Sequence, residues 1–210
     1  MQELKGAFEV LGPWNVIGHS WGAYLALLTA IEHPQSTNAL VYIAGNGTPS
    51  WWSEEGSAVH KSERRRRMRV ADLARLDDLS ALERSWDEEV EFRRLSWMTD
   101  FVDQETPPEA LDAMASTPLP INFPINRALS RAALYEDDEL LARCERCTVP
   151  ILFIHGSEDP RPDAGARLIA DRMPNARFVR IADAGHLPWV EQPTRTRAVV
   201  TEFLRRVSPN

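Results

Sequence analysis

The sequence predicts an α/β protein: a mostly parallel sheet with a helical segment inserted between two of its strands. Three observations lead there. Short apolar runs at 14–17, 39–44, 149–154 and 176–181 alternate with stretches of helical periodicity. The first run ends in Gly18-His19-Ser20-Trp21-Gly22, where the strand pattern gives way to a helix pattern. Between the second and third runs, residues 51–147 are charged, helical in propensity and poor in strand formers.

Taken in order, residues 1–11 read as a helix with Leu4, Ala7, Phe8 and Leu11 on one face, stopped by Gly12-Pro13. Trp14 to Ile17 is a strand. A sharp strand-to-helix turn at Ser20 exposes one hydroxyl at the strand tip, with Ser20 in a strained backbone conformation. Gly18 and Gly22 are expected because strand and helix pass too closely there for a Cβ. Ala23 to Ile31 continues as a helix until His33-Pro34, and Ala39 to Ala44 is a second buried strand. Strand, helix and strand in this order form a right-handed parallel unit.

Gly45 to Ser50 is a loop. Lys61 to Asp78 carries Arg64-Arg65-Arg66-Arg67 and then Met68, Val70, Leu73, Leu76 and Leu79 at helical spacing. The neighbouring acids and the apolar stripe favour a solvated helix face for these arginines over a phosphate site. Asp87 to Val102 is a further helix, Pro107-Pro108 and Pro118 to Pro124 break the chain, and Leu129 to Arg143 is helical again. The expected organisation is 1–50 as the first part of a core, 51–147 as a helical cap insertion, and 148–210 as the second part of the core. In that last part, strands at 149–154 and 176–181 flank a helix at Asp163 to Met173, and a final helix runs from Pro193 to Arg206.

The formal net charge of −7 in 210 residues argues against nucleic acid as the main partner. No apolar run reaches membrane-spanning length, and the first residues do not form a signal peptide, so a cytoplasmic protein is the expectation. Cys144 and Cys147 are half a zinc site with nothing to complete it, and they read as two reduced thiols at a helix end. No metal, nucleotide or flavin motif is present, and no cofactor is expected.

Ser20, Asp159 and His186 each fall just past the C-terminal end of a predicted parallel strand, where loops converge in an open α/β sheet. A serine hydroxyl needs an imidazole to take its proton, and the imidazole needs a carboxylate to fix its tautomer. The chain order Ser…Asp…His is one of the known arrangements of that triad. Glu158 competes with Asp159 for the acid role. His19 is read as packing or hydrogen-bonding beside the serine. The backbone N–H of Trp21, at the helix start, is placed to receive an oxyanion.

These motifs resemble the α/β-hydrolase superfamily. The matching pieces are Gly18-His19-Ser20-Trp21-Gly22, His155-Gly156-Ser157-Glu158-Asp159, and Gly185-His186 followed by Leu187-Pro188-Trp189-Val190-Glu191-Gln192-Pro193. Ser-Trp-Gly-Ala-Tyr-Leu-Ala-Leu and a helical segment starting at Trp51-Trp52 are similar to the capped, proline iminopeptidase-like hydrolases. The resemblance implies a serine hydrolase acting on a small ester, amide or short peptide, with Ser20, Asp159 and His186 catalytic and His19, Trp51 and Trp52 at the substrate pocket. The family carries further strands and a second oxyanion donor ahead of the nucleophile strand. The expectation is therefore a C-terminal part of such a hydrolase, with an apolar sheet edge at 14–17 that favours a homo-oligomer. The alternative is an inactive fragment or a binding module.

Overall fold

The computed structural model describes residues 13–105, 107–119 and 135–207. The helix expected at 1–11, the chain from 120 onward in the proline-rich piece, and the first residues of the helix expected from Leu129 lie outside them.

Four strands form one sheet in the order β1-β2-β3-β4, each parallel to its neighbour: β1 (Trp14–His19), β2 (Thr37–Ile43), β3 (Ile151–Gly156) and β4 (Ala176–Ile181). Parallel strands need crossovers, and the crossovers here are helical. α1 (Trp21–Glu32) joins β1 to β2, and α7 (Ala164–Ala170) joins β3 to β4. Two apolar layers hold the sheet. Ala26, Leu27, Leu40, Tyr42, Phe153 and Ile169 pack on one face. Val41, Leu152, Ile154 and Phe203 pack on the other, the last from the terminal helix α9 (Pro193–Val207). β2 and β3 are buried on both faces, which explains their unbroken apolar runs.

Between β2 and β3 the described residues form helices joined by loops, with no strand among them. A π-helical turn at Trp52–Gly56 leads into α2 (Ser57–Arg67), followed by α3 (Val70–Ser80), α4 (Trp86–Trp97), a 3₁₀ turn at Met98–Asp100, α5 (Glu109–Ala115) and α6 (Asp137–Arg146). Met68, Leu76, Leu79, Leu95, Met98, Phe101 and Leu111 give it its own apolar cluster, which also takes in Leu187 from the loop after β4. Asp137 ties its two ends together by accepting hydrogen bonds from Thr48 Oγ1 and, at 3.1 Å, from the Ser50 N–H.

The single helical run expected at 61–78 is two helices. The chain is extended at Met68 and Arg69, with ψ of 145° and 148°, because Met68 turns into the apolar cluster. The solvated face expected for the four arginines holds for Arg65 and Arg66 only. Helical spacing puts His60, Arg64 and Arg67 on the opposite, inner face. Arg67 Nη1 donates to Thr99 O at 3.3 Å, and Arg64 Nε is buried.

β1 is an edge of the described sheet, with Trp14 and Ile17 exposed. Cys144 and Cys147 are free thiols buried at the end of α6, and burial pushes the Cys144 thiol up to about 12. No helix among the described residues is long and apolar enough to cross a membrane.

Candidate active site

Ser20 stands between β1 and α1 with φ 56° and ψ −122°. A non-glycine residue held there costs on the order of 1–3 kcal/mol, so neighbouring contacts must enforce it. Ser20 N–H donates to Ile43 O at 2.9 Å, and Ser20 O accepts from Ala23 N–H at 3.0 Å. A Cβ on Gly18 would lie 2.3 Å from Gly22 O and 2.7 Å from Ala23 Cα. The same argument fails for Gly22, where a Cβ would meet nothing within 4 Å. The close approach is thus made by the strand glycine against the helix backbone, and the helix glycine leaves open space.

The loops after β3 and β4 are laced together. Ser157 N–H donates to Ile181 O and Glu158 N–H to Ala184 O, both at 2.9 Å. A Cβ on Gly156 would lie 2.0 Å from Gly185 O, so only glycine lets the two loops approach this closely. The consequence is the contact between His186 Nδ1 and Asp159 Oδ2 at 2.7 Å. Both side chains are buried, while Glu158 is exposed. Of the two candidate acids, Asp159 is the one that touches the histidine.

Burial alone would raise the Asp159 carboxyl. It is outweighed by His186 and its hydrogen bond, then by His155 and Arg161, which hold the carboxyl well below the usual carboxylate range. Arg161 supplies its own backbone N–H to Asp159 Oδ1 at 2.8 Å. Its guanidinium lies 3.7 Å from Asp159 Oδ1 and donates at 2.7 Å to Asp100 Oδ1. Asp100 is in the 3₁₀ turn after α4, and its carbonyl accepts the His186 N–H at 2.7 Å. Glu191, in the short helix α8 (Pro188–Glu191), accepts from Gly185 N–H at 2.6 Å and Val102 N–H at 2.7 Å. The histidine loop is therefore fastened to the helical segment on both sides of His186.

The sequence reading missed Asp100 and Arg161, and it quoted Glu191 only within a motif. An aspartate in Met-Thr-Asp carries no local signal of its use. Arg161 lies two residues after Asp159, a nearness in sequence that could have marked it as a partner.

His19 Nε2 donates to His186 O at 3.0 Å, and its ring centroid is 4.6 Å from those of both His186 and Trp189. Burial first, then the charge of His186, lower its pKa to about 4, so it is neutral at pH 7. These contacts bring His186 against the residue next to Ser20. The Ser20 hydroxyl makes no hydrogen bond among the described residues. The Trp21 N–H opens α1, where the first amides have no acceptor inside the helix. Trp51 packs its ring over Gly165 and Gly56, sealing the helical segment against α7, and the Trp52 ring is 6.0 Å from that of His60. No group of three or more metal-ligating side chains occurs among the described residues.

Residues 9–199 match the sequence profile of the alpha/beta hydrolase family. A pimeloyl-[acyl-carrier protein] methyl ester esterase from Nitrosomonas europaea is 26% identical over 195 residues, covering 87% of this chain and 68% of the relative. A solved structure from Mycobacterium tuberculosis superposes with a TM-score of 0.69 at 21% identity, covering 98% of this chain and 71% of that one. A proline iminopeptidase from Mycobacterium smegmatis superposes with a TM-score of 0.63 at 18% identity, covering 98% and 69%. The chain spans about two thirds of the length of the curated relatives it matches over most of its own length, 68% and 66%.

Proposed function

This chain belongs to the alpha/beta hydrolase family, and on that premise we propose that it is a serine hydrolase acting on a small ester or amide through Ser20, His186 and Asp159. The observation that carries the reading is the buried 2.7 Å contact of His186 Nδ1 with Asp159, beside a serine held at positive φ. Asp159 fixes the tautomer in which Nδ1 bears the proton, leaving Nε2 as the base. Ser20 Oγ attacks the carbonyl carbon and its proton passes to Nε2. The Trp21 N–H receives the developing oxyanion. His186 then protonates the leaving group, and water attacks the acyl-enzyme by the same route in reverse. Catalytic hydrogen bonds to the nucleophile are often long before substrate binds, so the free Ser20 hydroxyl is compatible with this scheme.

In this reading residues 51–147 are a cap over the site, and Trp52 and His19 border the substrate. The relative named as an esterase supports ester chemistry. An aminopeptidase substrate needs carboxylates on the helical segment to hold its amine; Glu54 and Glu55, which could serve, are exposed, and this favours an ester.

The test is labelling by a fluorophosphonate, which reacts with an activated serine. The wild type should label, and Ser20→Ala and His186→Ala should not. A folded wild type that stays unlabelled would instead favour the inactive or binding-module reading.

A further inference from the structure

The Asp159 carboxylate touches two imidazoles. Its Oδ2 is 2.7 Å from His186 Nδ1 and 3.4 Å from His155 Nε2. His155 has no part in the scheme above. Strand alternation places it after Ile151 and Phe153, on the face of β3 that packs against α1 and α7. Its side chain is 2% exposed.

A buried histidine at a strand end can be plain core, fastened by a single backbone bond. The partners of this one argue for more. Nε2 faces acceptors only: the Arg161 carbonyl oxygen at 2.9 Å and the Asp159 carboxylate. The ring proton therefore belongs on Nε2. Nδ1 is buried and has no hydrogen-bond partner among the described residues, so a proton there would have no acceptor. Arg161, whose carbonyl accepts the His155 N–H, is also the residue whose own N–H holds Asp159 Oδ1 at 2.8 Å. The acid loop is thus closed on the strand that leads into it. His155 grips Arg161 O, the Arg161 N–H grips one carboxylate oxygen, and the other oxygen is left to face His186. Burial opposes ionisation of this carboxyl, and His186 and then His155 counter it.

We infer that His155 is a positioning residue for the acid: its Nε2–H, through the Arg161 carbonyl and across 3.4 Å to Oδ2, aims Asp159 at His186. The inference rests on the serine hydrolase reading for its effect on rate only. The arrangement of the three side chains does not need Ser20 to react.

The experiment has two arms. The first is NMR of protein carrying 15N-labelled histidine. In the wild type, His155, assigned by through-bond correlation to its backbone, should carry its proton on Nε2 with Nδ1 bare. A proton on Nδ1 overturns the inference. The His186 Nδ1–H, shared with Asp159, should resonate far downfield. His155→Phe keeps the ring and loses the donor, and His155→Asn is too short to reach Arg161 O. In both, that resonance should move upfield or be lost to exchange with water, and His155→Gln should keep part of it. An unchanged resonance in whichever of the first two folds overturns the inference. The second arm is the rate of fluorophosphonate labelling of the folded protein. His155→Phe should slow it by about tenfold to a hundredfold. In an Asp159→Asn background the same substitution should cost less than about threefold, because the group it aims is gone. A full repeat of the loss in that background marks a merely structural role and overturns the inference. If the wild type does not label, the serine hydrolase reading fails and the NMR arm still decides the role of His155.

Discussion

Glu191 Oε2 accepts the backbone N–H of Gly185 at 2.6 Å, one residue ahead of His186. The other oxygen accepts the Val102 N–H, so a single carboxylate joins the histidine loop to the helical segment. Burial raises its pKa against the pull of these two N–H groups. Glu191→Ala leaves both amides without an acceptor and should cost roughly 2–4 kcal/mol in urea unfolding. Fluorophosphonate labelling of the folded fraction should slow as well, because the loop that positions His186 is loosened. Glu191→Gln keeps an oxygen for one amide only and should fall between.

Arg161 stands between two carboxylates. Removing it, as in Arg161→Met, strands Asp100 and Asp159 together in a buried site. The expected loss is about 3–5 kcal/mol. Adding Asp100→Asn should restore part of it, and a double-mutant cycle read by denaturant midpoints measures the coupling. Independent, additive losses would show that the pair is not coupled as the 2.7 Å contact implies.

The two glycines of the serine turn should behave in opposite ways. Gly18→Ala drives a Cβ into the Gly22 carbonyl and should prevent stable folding. Gly22→Ala meets open space inside a helix and should leave the thermal midpoint unchanged or raise it, by up to about 1 kcal/mol of stability. Comparing the two by circular dichroism melting checks the geometry of the turn without any substrate.

Acid should destabilise the fold in a defined window. His19 and His60 have pKa values lowered to about 4, by burial first and then by the charges of His186 and Arg161 respectively. In the unfolded chain both take up protons near pH 6.5, while in the folded chain they do not until about pH 4. Stability therefore falls as pH drops from about 6.5 to 4, each histidine contributing up to about 1.4 kcal/mol per pH unit. Asp159, lowered in the fold, extends the loss below about pH 4. Urea midpoints between pH 7 and 4.5 should decline less steeply in His60→Gln than in the wild type.

The β1 edge carries a self-association proposal. Ile17 is 57% exposed on an edge strand, and it lines an apolar groove with Ile43, Trp189 and Val200. Sedimentation should show concentration-dependent association of the wild type and a shift to monomer in Ile17→Lys. A wild type that is monomeric at every concentration would remove this proposal.

The sequence by itself determined the parallel α/β class, the four strands and the positions of Ser20, Asp159 and His186 at strand ends. The reason is that each of these is a local signal. Apolar runs of strand length, a glycine before a strand-to-helix turn, and a polar residue just past a strand are all written within a few neighbouring positions. The tertiary structure alone decided what surrounds them. That Asp159 rather than its neighbour Glu158 reaches His186 depends on how two loops lace together around Gly156. That Gly18 is needed and Gly22 is not depends on which backbone approaches which. The links Arg161–Asp100, His186–Asp159 and Glu191–Val102 span 61, 27 and 89 residues of chain. Contacts at such separations leave no periodicity in the chain. They arise when the helical segment folds back over the sheet, and the same folding turns Arg64 inward from a run of arginines that reads, in sequence, as a solvated face.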